Sequence, residues 1–209
     1  MLFVIGFILC FLPLTILFPT KVLNKKNFPK KKGEKGYIVC ANHYSNADVM
    51  IFDIKFGRKI YYLAKKELYK NKFSSWVLDS LGGIKIDRQS NDIAAYKAAI
   101  KTLKDKKPLG IFPEGTRNKN GDDASVQEIK SGAILFASKT GCPIIPVVMY
   151  RKPKVFRKNY ILVGEPFYPH GENNIKLTKE EIEENTNELS DIMNAMHNQL
   201  VERYSKKKK

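Results

Sequence analysis

The chain has 209 residues, of which 43% are hydrophobic and 11% aromatic. That suits one folded domain and excludes a wholly disordered or collagen-like protein. Lys and Arg number 37 against 21 Asp and Glu, a formal charge of +16. A surface this basic meets an anionic partner, and composition leaves three open: nucleic acid, an anionic membrane or a phosphorylated small molecule. Cys10, Cys40 and Cys142 lie far apart without a CxxC pair, which suggests neither a disulfide framework nor a zinc site and fits a reducing compartment.

Residues 1–18, MLFVIGFILCFLPLTILF, carry no charge. As a helix they would measure about 27 Å, just short of the ~30 Å hydrocarbon core of a bilayer. Pro13 interrupts the run, so the expected membrane-anchoring helix over 1–20 either kinks across the bilayer or enters one leaflet. A secretory signal fits poorly, with no basic leader and no small-x-small cleavage site. A core helix apolar on every face does not suit so small a protein. Seven lysines then follow between Lys21 and Lys35, against the single acid Glu34. Lysines in that place stay on the cytoplasmic side and attract anionic headgroups, at about 1 kcal/mol each. The expected location is the cell membrane, with a domain over 21–209 on its cytoplasmic face.

Short apolar runs then alternate with helical patterns. Strands are predicted at 37–41 (YIVCA), 60–64, 84–86, 109–112, 144–149 (IIPVVM) and 160–163, and helices at 47–56, 73–81, 91–104 and 132–140. The alternation implies an α/β fold, a single mostly parallel or mixed sheet flanked by helices. IIPVVM is apolar without a break, as a strand covered on both faces must be. A last amphipathic helix is predicted over 179–204. Thr178 and Glu181 form its capping box, and Ile182, Leu189, Ile192, Met193, Met196 and Leu200 form one stripe that packs on the domain.

Four segments leave strands carrying polar groups. The first is Asn42-His43-Tyr44-Ser45-Asn46-Ala47-Asp48, at the carboxyl end of YIVCA, where α/β folds place their sites. A tight turn would bring Asp48 onto one nitrogen of His43, fixing the tautomer while the other nitrogen takes a proton. GxSxG is absent and no Cys is near in sequence. A base without a protein nucleophile implies that a substrate hydroxyl attacks. A surface His beside a capping Asp is the plain alternative. The second segment, Gly110 to Arg117 (GIFPEGTR), offers a glycine turn and an arginine fork suited to a phosphate, or else a simple Glu114–Arg117 ion pair. The third, GGIKIDR, ends on Asp87-Arg88; the fourth, CPIIPV from Cys142, reads as architecture.

NHYSNAD, GGIKIDR, FPEGTR and CPIIPV, in this order and spacing, resemble the four blocks of the glycerolipid acyltransferase family, in its 1-acylglycerol-3-phosphate (lysophosphatidate) branch. The resemblance covers about 21–164; Lys85, where an apolar residue is usual, and Asn118, where serine is common, depart from the pattern. It implies that His43 is the general base, oriented by Asp48, which activates the glycerol 2-hydroxyl of lysophosphatidate against an acyl thioester. Glu114, Gly115, Thr116 and Arg117, with Arg88, would bind the glycerol phosphate, and the fourth block would shape the acyl site. The donor would be acyl-CoA or acyl-carrier protein, with no metal or cofactor, and the partners would be these substrates and an anionic membrane surface. Another lysophospholipid acceptor is the alternative within the class. A nucleic-acid-binding protein is the alternative outside it, but charge is its only support and stacking aromatics on a basic platform are not evident. His170, in a PHG turn, and His197, in the last helix, are expected to be structural or exposed.

Overall fold

The computed structural model describes residues 13–30, 35–87, 92–119, 125–171 and 177–205. Among them the strands are β1 (Thr20–Leu23), β2 (Tyr37–Ala41), β3 (Tyr61–Lys65), β4 (Gly83–Ile86), β5 (Pro108–Ile111), β6 (Ile144–Met149) and β7 (Asn159–Val163). The helices are α1 (Ala47–Phe56), α2 (Lys72–Ser80), α3 (Ile93–Lys104), α4 (Gly132–Thr140) and α5 (Lys179–Ser205). One sheet forms in the order β1-β7-β6-β2-β5-β3-β4. The five strands from β6 to β4 are parallel; β7 runs against β6, and β1 runs parallel to β7. The sheet is therefore mixed.

β2 lies near the middle and all five of its residues are buried. Its side chains alternate between two cores. Ile38 and Cys40 join the larger one, with Leu103 of α3, Ile134 of α4 and Leu189 and Met193 of α5. Tyr37, Val39 and Ala41 face the other, with Ile51, Phe52 and Phe56 of α1. β6 divides the same way, Ile144 and Val148 to one side and Ile145, Val147 and Met149 to the other. Helices on both faces are what parallel strands require, and they explain the unbroken apolar runs. At about 1.5–3 kcal/mol for each fully buried Leu, Ile or Phe, these two cores hold the sheet.

α5 begins as its sequence dictates: Glu181 N donates to Thr178 Oγ1 at 3.1 Å, and Thr178 N donates to Glu181 Oε2 at 2.7 Å. Its predicted stripe divides, Leu189, Met193, Met196 and Leu200 being buried while Ile182 and Ile192 are half-buried at the margin.

The N-terminal expectation falls mostly on residues 1–12, outside the described ones. Residues 13–17 are helical and lead into β1. No helix among the described residues is long and apolar enough to cross a membrane. β1 itself takes the last residue of the expected anchoring helix and the start of the lysine-rich stretch from Lys21. It is an edge strand with Lys21 exposed and its other three residues half-buried, and its pattern carries no long apolar run.

Candidate active site

Asn42 directly follows β2 and is 1% exposed. Its Nδ2 donates to Met149 O at 2.9 Å and its Oδ1 accepts from Met149 N at 2.8 Å. The side chain thus adds a rung between the ends of β2 and β6 and fixes where the next residue emerges. That residue is His43, with 16% of its side chain exposed. The turn closes when Asp48 N donates to Ser45 O at 3.0 Å. Asp48, at the start of α1, is fully buried, and its Oδ2 lies 2.9 Å from His43 Nδ1. The same oxygen accepts from Tyr44 N at 2.7 Å and Ser45 N at 2.8 Å. Three donors on one oxygen leave the carboxylate one orientation. A carboxylate facing Nδ1 keeps the proton there, so the lone pair of neutral His43 sits on Nε2. Asp48 Oδ1 is buried without a hydrogen-bond partner among the described residues.

The imidazole plane is fixed from below. Phe112, just past β5, stacks on His43 with ring centres 3.9 Å apart, and Tyr62 of β3 stacks on Phe112 at 5.5 Å. Three adjacent strands thus set one ring.

The second segment folds over the first. Gly115 takes φ +71° in a turn closed by its N–H on Phe112 O at 3.1 Å, a conformation that glycine tolerates and other residues resist. Asn118 N then donates to His43 O at 2.6 Å. Thr116 and Arg117 are exposed at the rim, and Arg117 reaches Asn46 Oδ1 at 3.3 Å. Glu114 turns inward instead and is 5% exposed, with neither carboxyl oxygen hydrogen-bonded among the described residues. Burial pushes its carboxyl up to about 7; the nearby amides of Gln127 and His43 pull it down, and Asp48 pushes it up further. The Glu114–Arg117 ion pair left open by the sequence is not formed. Arg88 lies outside the described residues. The fourth segment is β6, buried throughout, with Gly164 N donating to Pro146 O at 2.8 Å.

Two side chains escaped sequence reasoning. Asn42 had a signal, a buried-type strand ending on an amide, but polar residues after strands are common. Phe112 stood inside the FPEGTR block as an ordinary strand-end aromatic. His197 is buried: its Nε2 lies 3.1 Å from Tyr150 O and 3.5 Å from Tyr44 Oη, so α5 braces the residue beside His43.

The acyltransferase family model matches residues 19–150, which include both the His43 turn and the Arg117 loop. The chain is 38% identical over 142 residues to the 1-acyl-sn-glycerol-3-phosphate acyltransferase of Borreliella burgdorferi, covering 67% of this chain and 54% of that protein. With the Bacillus subtilis protein of the same name it shares 31% over 155 residues, 71% of this chain and 73% of the other. It therefore spans about half the length of the first relative and nearly three quarters of the second. Among solved structures, the 1-acyl-sn-glycerophosphate (LPA) acyltransferase PlsC of Thermotoga maritima superimposes with a TM-score of 0.66 at 27% identity, over 87% of this chain and 71% of that one. That structural match extends to the mixed sheet with helices on its faces; with the family model matching well over half of its residues, the chain belongs to the acyltransferase family.

Proposed function

We propose that the chain transfers a fatty acyl group from an acyl thioester to the 2-hydroxyl of 1-acylglycerol-3-phosphate, giving phosphatidic acid. One observation carries the reading: His43, at the open carboxyl end of the central strand, has Nδ1 held 2.9 Å from a buried carboxylate. In this scheme His43 Nε2 takes the proton of the 2-hydroxyl as its oxygen attacks the thioester carbonyl. Asp48 stabilises the imidazolium so formed. The tetrahedral intermediate collapses, the carbon–sulfur bond breaks, and the leaving sulfur takes the proton from His43. General base catalysis of this kind contributes about 10² to 10⁴ in rate, with positioning adding more.

Arg117 and Thr116, exposed beside the His43 turn, and Gly115, whose turn presents them, bind the phosphate together with Arg88. Glu114 sets this loop from beneath. The donor is acyl-CoA or acyl-carrier protein, itself a substrate, and the scheme uses no metal or cofactor. The acceptor is a membrane lipid, so the enzyme works at the cytoplasmic face of the cell membrane, held by the apolar segment of residues 1–18. Residues 13–17 enter β1 from the rim that carries His43, which supports that arrangement.

Purified full-length protein given lysophosphatidate and an acyl thioester releases free thiol and phosphatidic acid in this reading. If His43→Ala releases thiol at the wild-type rate, the mechanism is wrong. Crossing several lysolipids with acyl-CoA and acyl-carrier protein identifies the acceptor and the donor.

A further inference from the structure

Among the described lysines that follow the apolar segment, only Lys21, at the start of β1, is near the His43 rim. β1 runs against β2, so Lys25, Lys26, Lys30 and Lys35 are carried towards the opposite end of the sheet; Lys25 Nζ donates to Lys55 O at 2.8 Å, near the end of α1. The rim has its own basic and apolar groups, in two places.

The first is the connection from β3 to α2. Residues 65–72, KKELYKNK, hold four lysines and one acid. Leu68 is 48% exposed here, and in the first turns of α2 Phe73 is 73% and Trp76 57% exposed. Phe73 and Trp76 stand three apart on one face, their rings 6.2 Å apart, and no residue of α2 is fully buried. The second is the β6–β7 hairpin. Residues 151–158, RKPKVFRK, hold five cations and no acid, with Val155 52% and Phe156 71% exposed at the tip. Phe156 N donates to Leu17 O at 2.7 Å, so the tip is joined to the end of the apolar N-terminal segment. β6 and β3 stand either side of β2 and β5 in the sheet, which sets the two places about 14 Å apart with His43 between them.

We infer that these two exposed aromatic patches, Leu68-Phe73-Trp76 and Val155-Phe156, dock on an anionic bilayer on either side of His43. Aromatic side chains ringed by lysines suit the headgroup level, where rings enter the acyl boundary and cations meet lipid phosphates. Nine cations against one acid also argue against a second copy of this chain, which would bring like charge to like. The inference gives the membrane reading above a specific surface. It is tested without acyl transfer, so it fails separately from that reading.

Trp76 is the only tryptophan, and its emission therefore reports this face directly. Full-length protein is reconstituted with vesicles of phosphatidylcholine alone, or with one third phosphatidylglycerol, each with and without brominated acyl chains. Expected on anionic vesicles are a blue-shifted Trp76 emission and strong quenching by the brominated lipid. Phe73→Ser, and Lys70→Glu with Lys72→Glu, each weaken quenching several-fold while circular dichroism and melting stay as in the wild type. Phe156→Trp on a Trp76→Phe background is quenched likewise and reports the other side. Protein that pellets with vesicles while Trp76 emission stays unmoved meets the membrane elsewhere, and the inference fails. Equal quenching on both lipid compositions overturns the anionic contact. Emission already blue before lipid is added, and lost on dilution, assigns the face to a second copy and overturns it too.

Discussion

Asp48→Asn changes one charge and almost no volume. In the native turn Asp48 Oδ2 faces three donors, His43 Nδ1 and the amides of Tyr44 and Ser45. The amide oxygen of asparagine can serve all three, while its NH₂ would oppose them, so the side chain settles with oxygen towards the turn. The tautomer of His43 survives, and what is lost is the negative charge beside the imidazolium. A unit charge about 4 Å away is worth ~4 kcal/mol at an effective dielectric near 20, which corresponds to about 10³ in rate. The NH₂ then occupies the place of Oδ1, buried without a partner, at about 1–3 kcal/mol of stability. For a chain of this size that lowers the melting temperature by roughly 2–12 °C, and the variant is still folded at 25 °C. The assay is thiol release from an acyl thioester with lysophosphatidate, read from pH 6 to 9 beside the wild type. The expected turnover is about 10² to 10³ below wild type, and Asp48→Asn combined with His43→Ala is no slower than His43→Ala alone, because the two act as a unit. A folded variant that keeps more than a third of wild-type turnover would refute a catalytic role for this charge.

Burial pushes the Asp53 carboxyl up to about 8, against the Ile60 amide and Lys59, so the fold holds a proton that the unfolded chain has released. The stability from that proton is complete below about pH 4 and is lost as pH rises through 8. Asp53→Asn keeps the acceptor for Ile60 N and removes this loss, so in urea titrations it gains on the wild type by more than about 1 kcal/mol between pH 5 and 9; parallel pH curves would contradict this. Gly36→Ala puts a Cβ 2.3 Å from Leu103 O, a backbone atom that cannot swing aside, and melting drops by at least about 4 °C, as differential scanning calorimetry would show. His197→Ala opens a cavity behind Tyr44 and Tyr150, costing about 2–4 kcal/mol in denaturant titration. Because Tyr44 also serves Asp48, kcat falls several-fold while KM for the thioester holds; an unchanged kcat would limit His197 to stability.

The parts of the fold that were legible in the sequence are those with strong local periodicity. Residues 47–56 and 132–140 form α1 and α4 at the predicted ends, because Gly57 and Gly141 stop both helices in left-handed conformations. The contact of His43 with Asp48 was legible too, since a strand end, a polar turn and a helix start leave few other places for the carboxylate. β1 was not legible: three half-buried residues and the exposed Lys21 lack a pattern, and pairing with β7 makes them a strand. The reversal at β7 had a signal in chain length. The nine residues from 150 to 158 are too few for a crossover between parallel strands and enough for a hairpin. The family resemblance implied that Glu114 binds the phosphate; its burial, which comes from the loop folding back onto Gln127 and His43, rests on contacts distant in sequence that no local pattern encodes.

Thr20 pairs with Asn159, 139 residues further along the chain. At about 5–20 residues per second of synthesis, β1 waits roughly 7–30 s before its only partner strand among the described residues has been made. Until then its amide and carbonyl groups are an open template for wrong pairing, while β2 to β5 already have one another. The last step in closing this sheet therefore joins its two most distant pieces, and the edge is exposed to aggregation for longest just where the chain turns from the apolar segment into the domain.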